Sequence, residues 1–404
     1  MKKPLNGFQI KIIYHDIRRI YTMSEIRSFV ELVQSIYGTK DFIPLHEPRF
    51  DEKEKRYLAQ TIDSTFVSSV GEFVDKFEAA ISNYCGAGKA AAVVNGTAAL
   101  QVALRIAGVN NKSEVITQAL TFVATANAIS YNGASPVFVD VDYDTMGLSP
   151  LALRNFLNEF GELRETGAYN KSTGKRISAI VPMHTFGFMC RIDEIVEIAN
   201  EWNIPVVEDS AESLGSSYKG KHSGTFGLMG AFSFNGNKII TSGGGGAIVS
   251  SDPQFANKAK YLTNTAKVPH AWDYYHDEIG YNFRMPNLNA ALGLAQFEKL
   301  NEFIESKKTV YEIYCKELDS GSFRMKEIPV DTEWNYWLFP VEFQDQESKN
   351  KFMEYTNSNN VMTRPIWQLM YKLPMYENSQ RDAQINTKLL AERIVNIPSS
   401  AKKV

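Results

Sequence analysis

The chain has 404 residues, 44% of them apolar and 22% charged, the composition of a folded globular protein long enough for a large domain and a smaller one. A net charge of -3 gives no bulk attraction for nucleic acid or an anionic membrane, and no apolar run approaches the ~20 residues that a membrane-spanning helix needs. Cys85, Cys190 and Cys315 are odd in number and far apart, which argues against a disulfide framework or a metal site and for a reducing cytoplasm.

The opening stretch "MKKPLNGFQIKIIYHDIRRIYTM" has a basic end, but Tyr14, His15, Asp16, Arg18 and Arg19 interrupt any apolar signal-peptide core. It reads as a leader of no catalytic importance upstream of Met23. "AAAVV", Ala90 to Val94, predicts a strand, and the spacing of Leu100, Ala103, Leu104 and Ala107 predicts a helix directly after Asn95, Gly96 and Thr97. "EVITQ" is the next strand, "VATANAISYN" the next helix and "SPVFVDVD" a further strand. "ISAIVPM", the helix "IDEIVEIANEWN" and the strand "IPVVED" continue the alternation, which implies βαβ units and a mostly parallel sheet. At Gly230 the pattern changes to consecutive strands, "GAFSF" and "GAIVSS", and from Asn287 it turns helical, so a domain boundary is expected near residue 290.

Three stretches stand at the carboxyl ends of predicted strands, where open α/β sheets gather ligands. In "VVNGTAAL", Gly96 lets the backbone approach an anion, Thr97 offers a hydroxyl, and the following helix presents free N–H groups and its positive end. Taken alone this reads as an ordinary helix cap. In "IPVVEDSAESLG", Glu208, Asp209 and Glu212 follow a strand; such carboxylates bind metal, act as a base, hold a cationic ring nitrogen or simply sit in solvent. Lys238 lies between "AFSFNGN" and "IITSGGGGAIV", on a tight connection between two strands. Most lysines are solvated surface charges, but apolar neighbours would desolvate this amine and favour its neutral, nucleophilic form. The glycine run matches neither GxGxxG nor a Walker pattern, and suggests close backbone packing or room for a bulky ligand.

One cofactor unites these weak signals. Pyridoxal phosphate needs a lysine for its aldehyde, a carboxylate for its pyridine nitrogen and a helix N-terminus for its phosphate. Lys238, Asp209, and Gly96 with Thr97 are of those types, and Phe122 in "LTFVATANAI" is placed either to stack on the ring or to pack in the core.

The chain resembles the DegT/StrS-type sugar-nucleotide aminotransferases, of the aspartate aminotransferase-like fold type I. The blocks that carry the resemblance include "GEFVDKFE", "NGTAALQVAL", "TFVATANAI", "PVFVDVD", "VEDSAESLGSSYKGKHSGTFG", "SFNGNKIITSGGGGAIV", "GYNFRMPNLNAALGLAQ" and "TRPIW", in that order. The resemblance implies a large pyridoxal-phosphate-binding α/β domain (46–290) with a mostly parallel mixed sheet between helices. It adds a small C-terminal α+β domain (291–404) and an N-terminal extension (1–45). It implies that Lys238 bonds covalently to the cofactor and that Asp209 pairs with the ring nitrogen. Gly96, Thr97 and Ser233 are assigned to the phosphate, Glu212 to the ring's O3′ side and Phe122 to the ring face. Asn282 would reach the phosphate of the partner subunit in a homodimer with shared sites. His184 in "VPMHTFGF" is a candidate for contacting sugar or cofactor, and Arg364 in "TRPIW" for the nucleotide end.

The front stretch "SEIRSFVELVQSIYGTKDFIPLHEPRF" is similar to the extension of the legionaminic acid pathway aminotransferases, and Glu212 stands where many relatives carry Gln. Glu212 fits a 4-keto-6-deoxy-N-acetylhexosamine nucleotide as acceptor and the front stretch a UDP-linked one, with a GDP- or dTDP-linked 4-keto-6-deoxy sugar, as for a perosamine-type enzyme, as the alternative. The resemblance implies L-glutamate as donor, 2-oxoglutarate as by-product and ping-pong kinetics. Relatives of this type continue about a helix beyond the "IPSS" equivalent, so loss or truncation of that helix is expected at Val404. A nicotinamide-dependent oxidoreductase would need GxGxxG, a fold type I dehydratase a histidine in place of Lys238, and a non-catalytic cofactor-binding regulator would not need the Lys238, Asp209 and Glu212 set.

Overall fold

In the computed structural model, which describes residues 22–318 and 323–402, three helices precede the first strand: α1 (Met23–Tyr37), α2 (Glu52–Asp63) and α3 (Glu72–Cys85). The expected leader lies almost wholly outside the described residues. There follow β1 (Lys89–Val93), α4 (Gly96–Ile106), β2 (Ser113–Gln118), α5 (Val123–Tyr131), β3 (Ser135–Val139) and α6 (Pro150–Phe160). A hairpin of β4 (Gly161–Arg164) and β5 (Gly167–Asn170) leads to β6 (Arg176–Val181), α7 (Ile192–Glu201) and β7 (Val207–Asp209). The short β8 (Ser217–Tyr218) and β9 (Lys221–His222) come before β10 (Met229–Ser233), β11 (Gly246–Ser250) and α8 (Pro253–Thr263). The remainder comprises α9 (Asn287–Phe297), α10 (Leu300–Leu318), β12 (Phe323–Met325), β13 (Thr332–Glu333), β14 (Phe339–Phe343), α11 (Gln346–Ser358), β15 (Arg364–Pro365), α12 (Ile385–Arg393) and β16 (Ile394–Ile397).

The central sheet is mixed and mostly parallel. β2 pairs in parallel with β3 and β6, and β7 pairs in parallel with β10. Parallel bridges Ile180↔Val206 and Met183↔Asp209 splice these two groups together. β11 runs antiparallel between β10 and β1, the change of direction expected where two strands follow each other without a helix. Alanine, valine and isoleucine fill these strands because both faces of the sheet are covered by helices. The strand expected over Ser135–Asp142 stops at Val139: the Asp140 N–H donates to Asp382 Oδ2 at 2.9 Å instead of to a strand, and its carboxylate accepts the N–H groups of Asn386 (2.9 Å) and Thr387 (2.8 Å).

A second sheet, antiparallel throughout in the order β12-β14-β16-β15, carries the C-terminal part of the chain. The front helix belongs to that side: α1 buries Ile26, Phe29, Val30 and Val33, and the Phe29 ring packs against Tyr314, Phe323 and Phe352. After α1 the chain bridges Ile43 to Val361, and the Leu45 carbonyl accepts the Ser399 N–H at 2.8 Å. No helix among the described residues is long and apolar enough to cross a membrane.

Candidate active site

The turns that follow β1, β2, β6, β7 and β10 all emerge at the carboxyl edge of the parallel strands, and they wall a cavity of about 560 Å³. Gly96, Thr97, Phe122, Asp209, Glu212, Ser233, Lys238 and Arg364 all line it.

Asn95 starts α4 by accepting the Ala98 N–H on its side chain at 2.8 Å, and the first amides of the helix, at Gly96 and Thr97, have no partner within it. The turn lies directly on the end of β10. A Cβ on Gly96 would stand 2.7 Å from the Ser233 Cβ, and one on Gly246 would stand 2.6 Å from the Asn95 carbonyl carbon. Within the glycine run, Gly245 and Gly246 therefore serve close packing behind the cradle, and none of Gly243 to Gly246 lines the cavity.

Strand alternation separates the two neighbouring acids of β7. Glu208 is fully buried behind the cavity, where it accepts the N–H groups of Gly224, Phe226 and Gly227 at 2.7–2.8 Å. Asp209 faces the cavity. It is 3% exposed, receives a hydrogen bond from Thr125 Oγ1 at 2.7 Å and one from the Ala211 N–H at 3.2 Å, and makes no ion pair among the described residues. Burial pushes its carboxyl above the ordinary range, and the two hydrogen bonds work against that rise. A buried acid with only neutral donors is the natural complement of a cationic ring N–H.

Glu212 spans Lys238 and the chain after β6. Lys238 Nζ donates to its Oε1 at 3.1 Å, and the Phe186 N–H donates to its Oε2 at 2.9 Å. Burial pushes the Glu212 carboxyl up to about 6, against the pull of the lysine. Lys238 is held by a turn whose Asn237 carbonyl accepts Trp337 Nε1–H at 2.7 Å, and its ammonium sits 4.2 Å from the centroid of the Trp337 ring. Phe186 adopts φ 56° and ψ 19°, a left-handed conformation that a bulky residue takes only when its surroundings impose it. The bond to Glu212 and one from Trp334 Nε1 to the Phe186 carbonyl (2.9 Å) supply that constraint.

Phe122 is half-exposed at the cavity wall, its ring edge-on to Trp367 with centroids 6.4 Å apart, so the core-packing alternative does not hold. Two other expected residues are not among the lining. His184 is fully buried: Nε2 meets Glu208 at 3.0 Å, and Nδ1 accepts the Cys190 N–H at 3.4 Å. Its ring turns to the back of the sheet because β6 has ended and the chain folds into the tight turn Thr185–Gly187, so the expected contact with sugar or cofactor has no geometric basis here. Asn282 is exposed and lies outside its own chain's cavity, opposite Asn264 in an antiparallel bridge. Sequence reasoning missed Thr125, Phe186, Trp337, Trp367 and Asn396. "WNYW", Trp334 to Trp337, was the available signal for the aromatic wall, and Trp367 closes the quoted block "TRPIW".

Residues 48–402 match the DegT/DnrJ/EryC1/StrS aminotransferase family. The chain is 38% identical over 337 residues to the Bacillus subtilis (strain 168) protein EpsN, whose name assigns it provisionally as a pyridoxal phosphate-dependent aminotransferase; the match covers 83% of this chain and 84% of that one. It is 36% identical over 358 residues to the GDP-perosamine synthase of Escherichia coli O157:H7, covering 89% and 93%. Among solved structures, Helicobacter pylori PseC, an aminotransferase involved in the biosynthesis of pseudoaminic acid, superposes with a TM-score of 0.79 at 23% identity over 89% and 94% of the two chains. The expected fold type I architecture is thereby established.

Proposed function

Since the chain belongs to the DegT/DnrJ/EryC1/StrS aminotransferase family, we propose that it transfers the amino group of L-glutamate to C4 of a nucleotide-linked 4-keto-6-deoxy sugar, releasing 2-oxoglutarate. At the coarser level it is a sugar aminotransferase whose cofactor is pyridoxal 5′-phosphate. The observation that carries the reading is the convergence of Lys238, Asp209, Glu212, Ser233 and the α4 N-terminus on one cavity of small-molecule size.

The residues fit the cofactor. Gly96 and Thr97 N–H with Ser233 would hold its phosphate, Asp209 the proton on its ring nitrogen, and Phe122 its ring face. When bound, the cofactor supplies an electrophilic aldehyde and a conjugated ring that takes up the electron pair freed at the donor's Cα. Lys238 is the amine in reach, and it takes the proton from the donor's Cα as a base. The same amine later delivers a proton to C4 of the sugar from its own side of the cavity, which fixes the configuration there. Glu212 holds Nζ in place between these events, and the Trp337 and Phe186 rings exclude water around it.

Two readings of the acceptor each have support. The front stretch and Glu212 favour a UDP-linked 2-acetamido-2,6-dideoxy-hexos-4-ulose, the acceptor of the legionaminic acid pathway enzymes. The names of relatives at 34–36% identity favour a GDP-linked 4-keto-6-deoxy sugar. A two-fold dimer sharing its sites is part of the proposal. Asn282 is exposed, and the segment before it carries Trp272, Tyr274 and Ile279 bare to solvent. Incubation with glutamate and a panel of UDP-, GDP- and dTDP-linked 4-keto-6-deoxy sugars, with products identified by NMR, decides the acceptor. Lys238→Ala in the same assay should lose roughly 10²–10⁴ in rate from proton transfer alone; near-wild-type turnover in that variant would overturn the assignment.

A further inference from the structure

Arg364 and Asn396 stand directly opposite each other on β15 and β16, and both line the Lys238 cavity. Side chains of directly opposed residues share one face of a sheet. Asn396 is 3% exposed, yet its Oδ1 has no hydrogen-bond partner. A buried acceptor left unpaired in a binding cavity is a cost the protein carries until a donor meets it. Arg364 makes no ion pair among the described residues, and beside Lys238 it is the other cation among the lining residues. The carboxylates of the cavity are already engaged, Asp209 by Thr125 and Ala211, and Glu212 by Lys238 and Phe186. Among the described residues Arg364 therefore has no anion to meet, and Asn396 Oδ1 has no donor.

We propose that this cross-strand pair is the carboxylate subsite for the amino donor: Arg364 clamps the donor's α-carboxylate, and Asn396 Oδ1 accepts a guanidinium N–H that the carboxylate leaves over. The inference rests on the aminotransferase reading above. Two parallel N–H···O bonds to a carboxylate use two of the guanidinium's five donors, so Asn396 can take one of the others to orient it. The geometry of the reaction points the same way. The α-carboxylate is one bond from the carbon whose proton Lys238 takes, so its cation must stand on the wall of the same cavity. The diphosphate of the sugar nucleotide is fixed at C1, across the ring from C4, and its charges lie farther from Lys238. Asn396 is a positioning residue in this arrangement, acting through Arg364.

The two half-reactions of the full-length, cofactor-loaded enzyme separate the candidates. One is the absorbance change on adding glutamate, the other its reversal by a 4-keto sugar nucleotide. Arg364→Gln should raise the glutamate concentration needed for half-saturation roughly 10- to 150-fold, the worth of a hydrogen bond to a charged group. The half-saturating sugar-nucleotide concentration should stay within about threefold, since no new contact to the acceptor is lost. Asn396→Leu should weaken glutamate in the same direction by less, again sparing the acceptor. Binding of glutarate, which has two carboxylates and no amine to react, should weaken in parallel in calorimetry. Arg364→Lys serves where the glutamine variant does not fold; it keeps the charge without the fork and should recover only part of the affinity. Weakening confined to the sugar nucleotide, or equal for both substrates, overturns the inference and places Arg364 at the nucleotide end. An unchanged glutamate requirement in both variants overturns it as well. A wild-type enzyme whose absorbance glutamate does not alter would instead remove the aminotransferase reading itself.

Discussion

Replacing Glu212 by Gln in the cofactor-free protein tests the electrostatics of the site directly. Glu212 is 3% exposed and its carboxyl is pushed up to about 6 from the ordinary 4.5, chiefly by burial and against the attraction of Lys238. That difference corresponds to roughly 2 kcal/mol between the two protonation states. The folded value lies above the unfolded one, so the unfolded chain gives up this proton first. The contribution to stability is full below about 4.5 and is lost as pH rises through about 6. Gln at this position cannot ionise and still offers an oxygen to the Phe186 N–H. The stability of the wild type relative to Glu212→Gln should therefore fall by roughly 2 kcal/mol between pH 4.5 and 7. Denaturant unfolding of both proteins across that range reads the difference, and titrating groups that do not interact with Glu212 cancel in the comparison. Parallel curves, or a wild type that gains on the variant as pH rises, would refute the argument that burial outweighs the lysine.

Asp209→Asn should cost far more activity than stability, because the amide keeps the Thr125 hydrogen bond but cannot balance a ring cation; steady-state turnover within a few-fold of wild type would make Asp209 a mere strand-end cap. Gly96→Ala should cost about 1–3 kcal/mol through overpacking on Ser233. It should also weaken cofactor retention measured by dialysis; unchanged retention would mean that no phosphate sits at this turn. Lys238→Ala and Asn282→Asp homodimers should each be nearly inactive, whereas unfolding and refolding them together should restore about a quarter of wild-type activity, since random pairing makes about half the dimers mixed, each with one intact site. No recovery, with mixed dimers demonstrated by differential tagging, would assign Asn282 to its own chain.

The alternation of strand and helix from Ala90 to Ser250 was legible because each element declares itself within a few residues. The run "AAAVV" became β1, the Leu100, Ala103, Leu104 face became α4, and "GAFSF" and "GAIVSS" became the neighbouring strands β10 and β11. The front helices and the Gly161–Asn170 hairpin were not laid out by that reading. The hairpin pairs locally, Gly161 opposite Asn170 to Arg164 opposite Gly167, but β4 is the short run Gly161–Arg164, exposed after its first residue, and offers no apolar alternation to read. "IPVVED" yielded only Val207–Asp209 as regular strand, since Val206 makes a single bridge to Ile180 where two parts of the sheet meet.

At the site, the sequence by itself determined which chemistry each strand end offers: a lysine on a β-connection, an acid at the end of β7, a glycine and threonine opening α4. Those are local facts, set by residue type and distance along the chain. The tertiary structure alone decided that Asp209 faces the cavity and Glu208 does not, because that depends on which face of β7 the ligand-bearing turns share. It also decided that His184 turns away to Glu208, and that Trp337, Trp367 and Asn396, far along the chain from Lys238, complete the walls around it. Side chains that meet only when two sheets pack leave no period in the sequence, since what brings them together is burial and strand register across long separations rather than any local pattern.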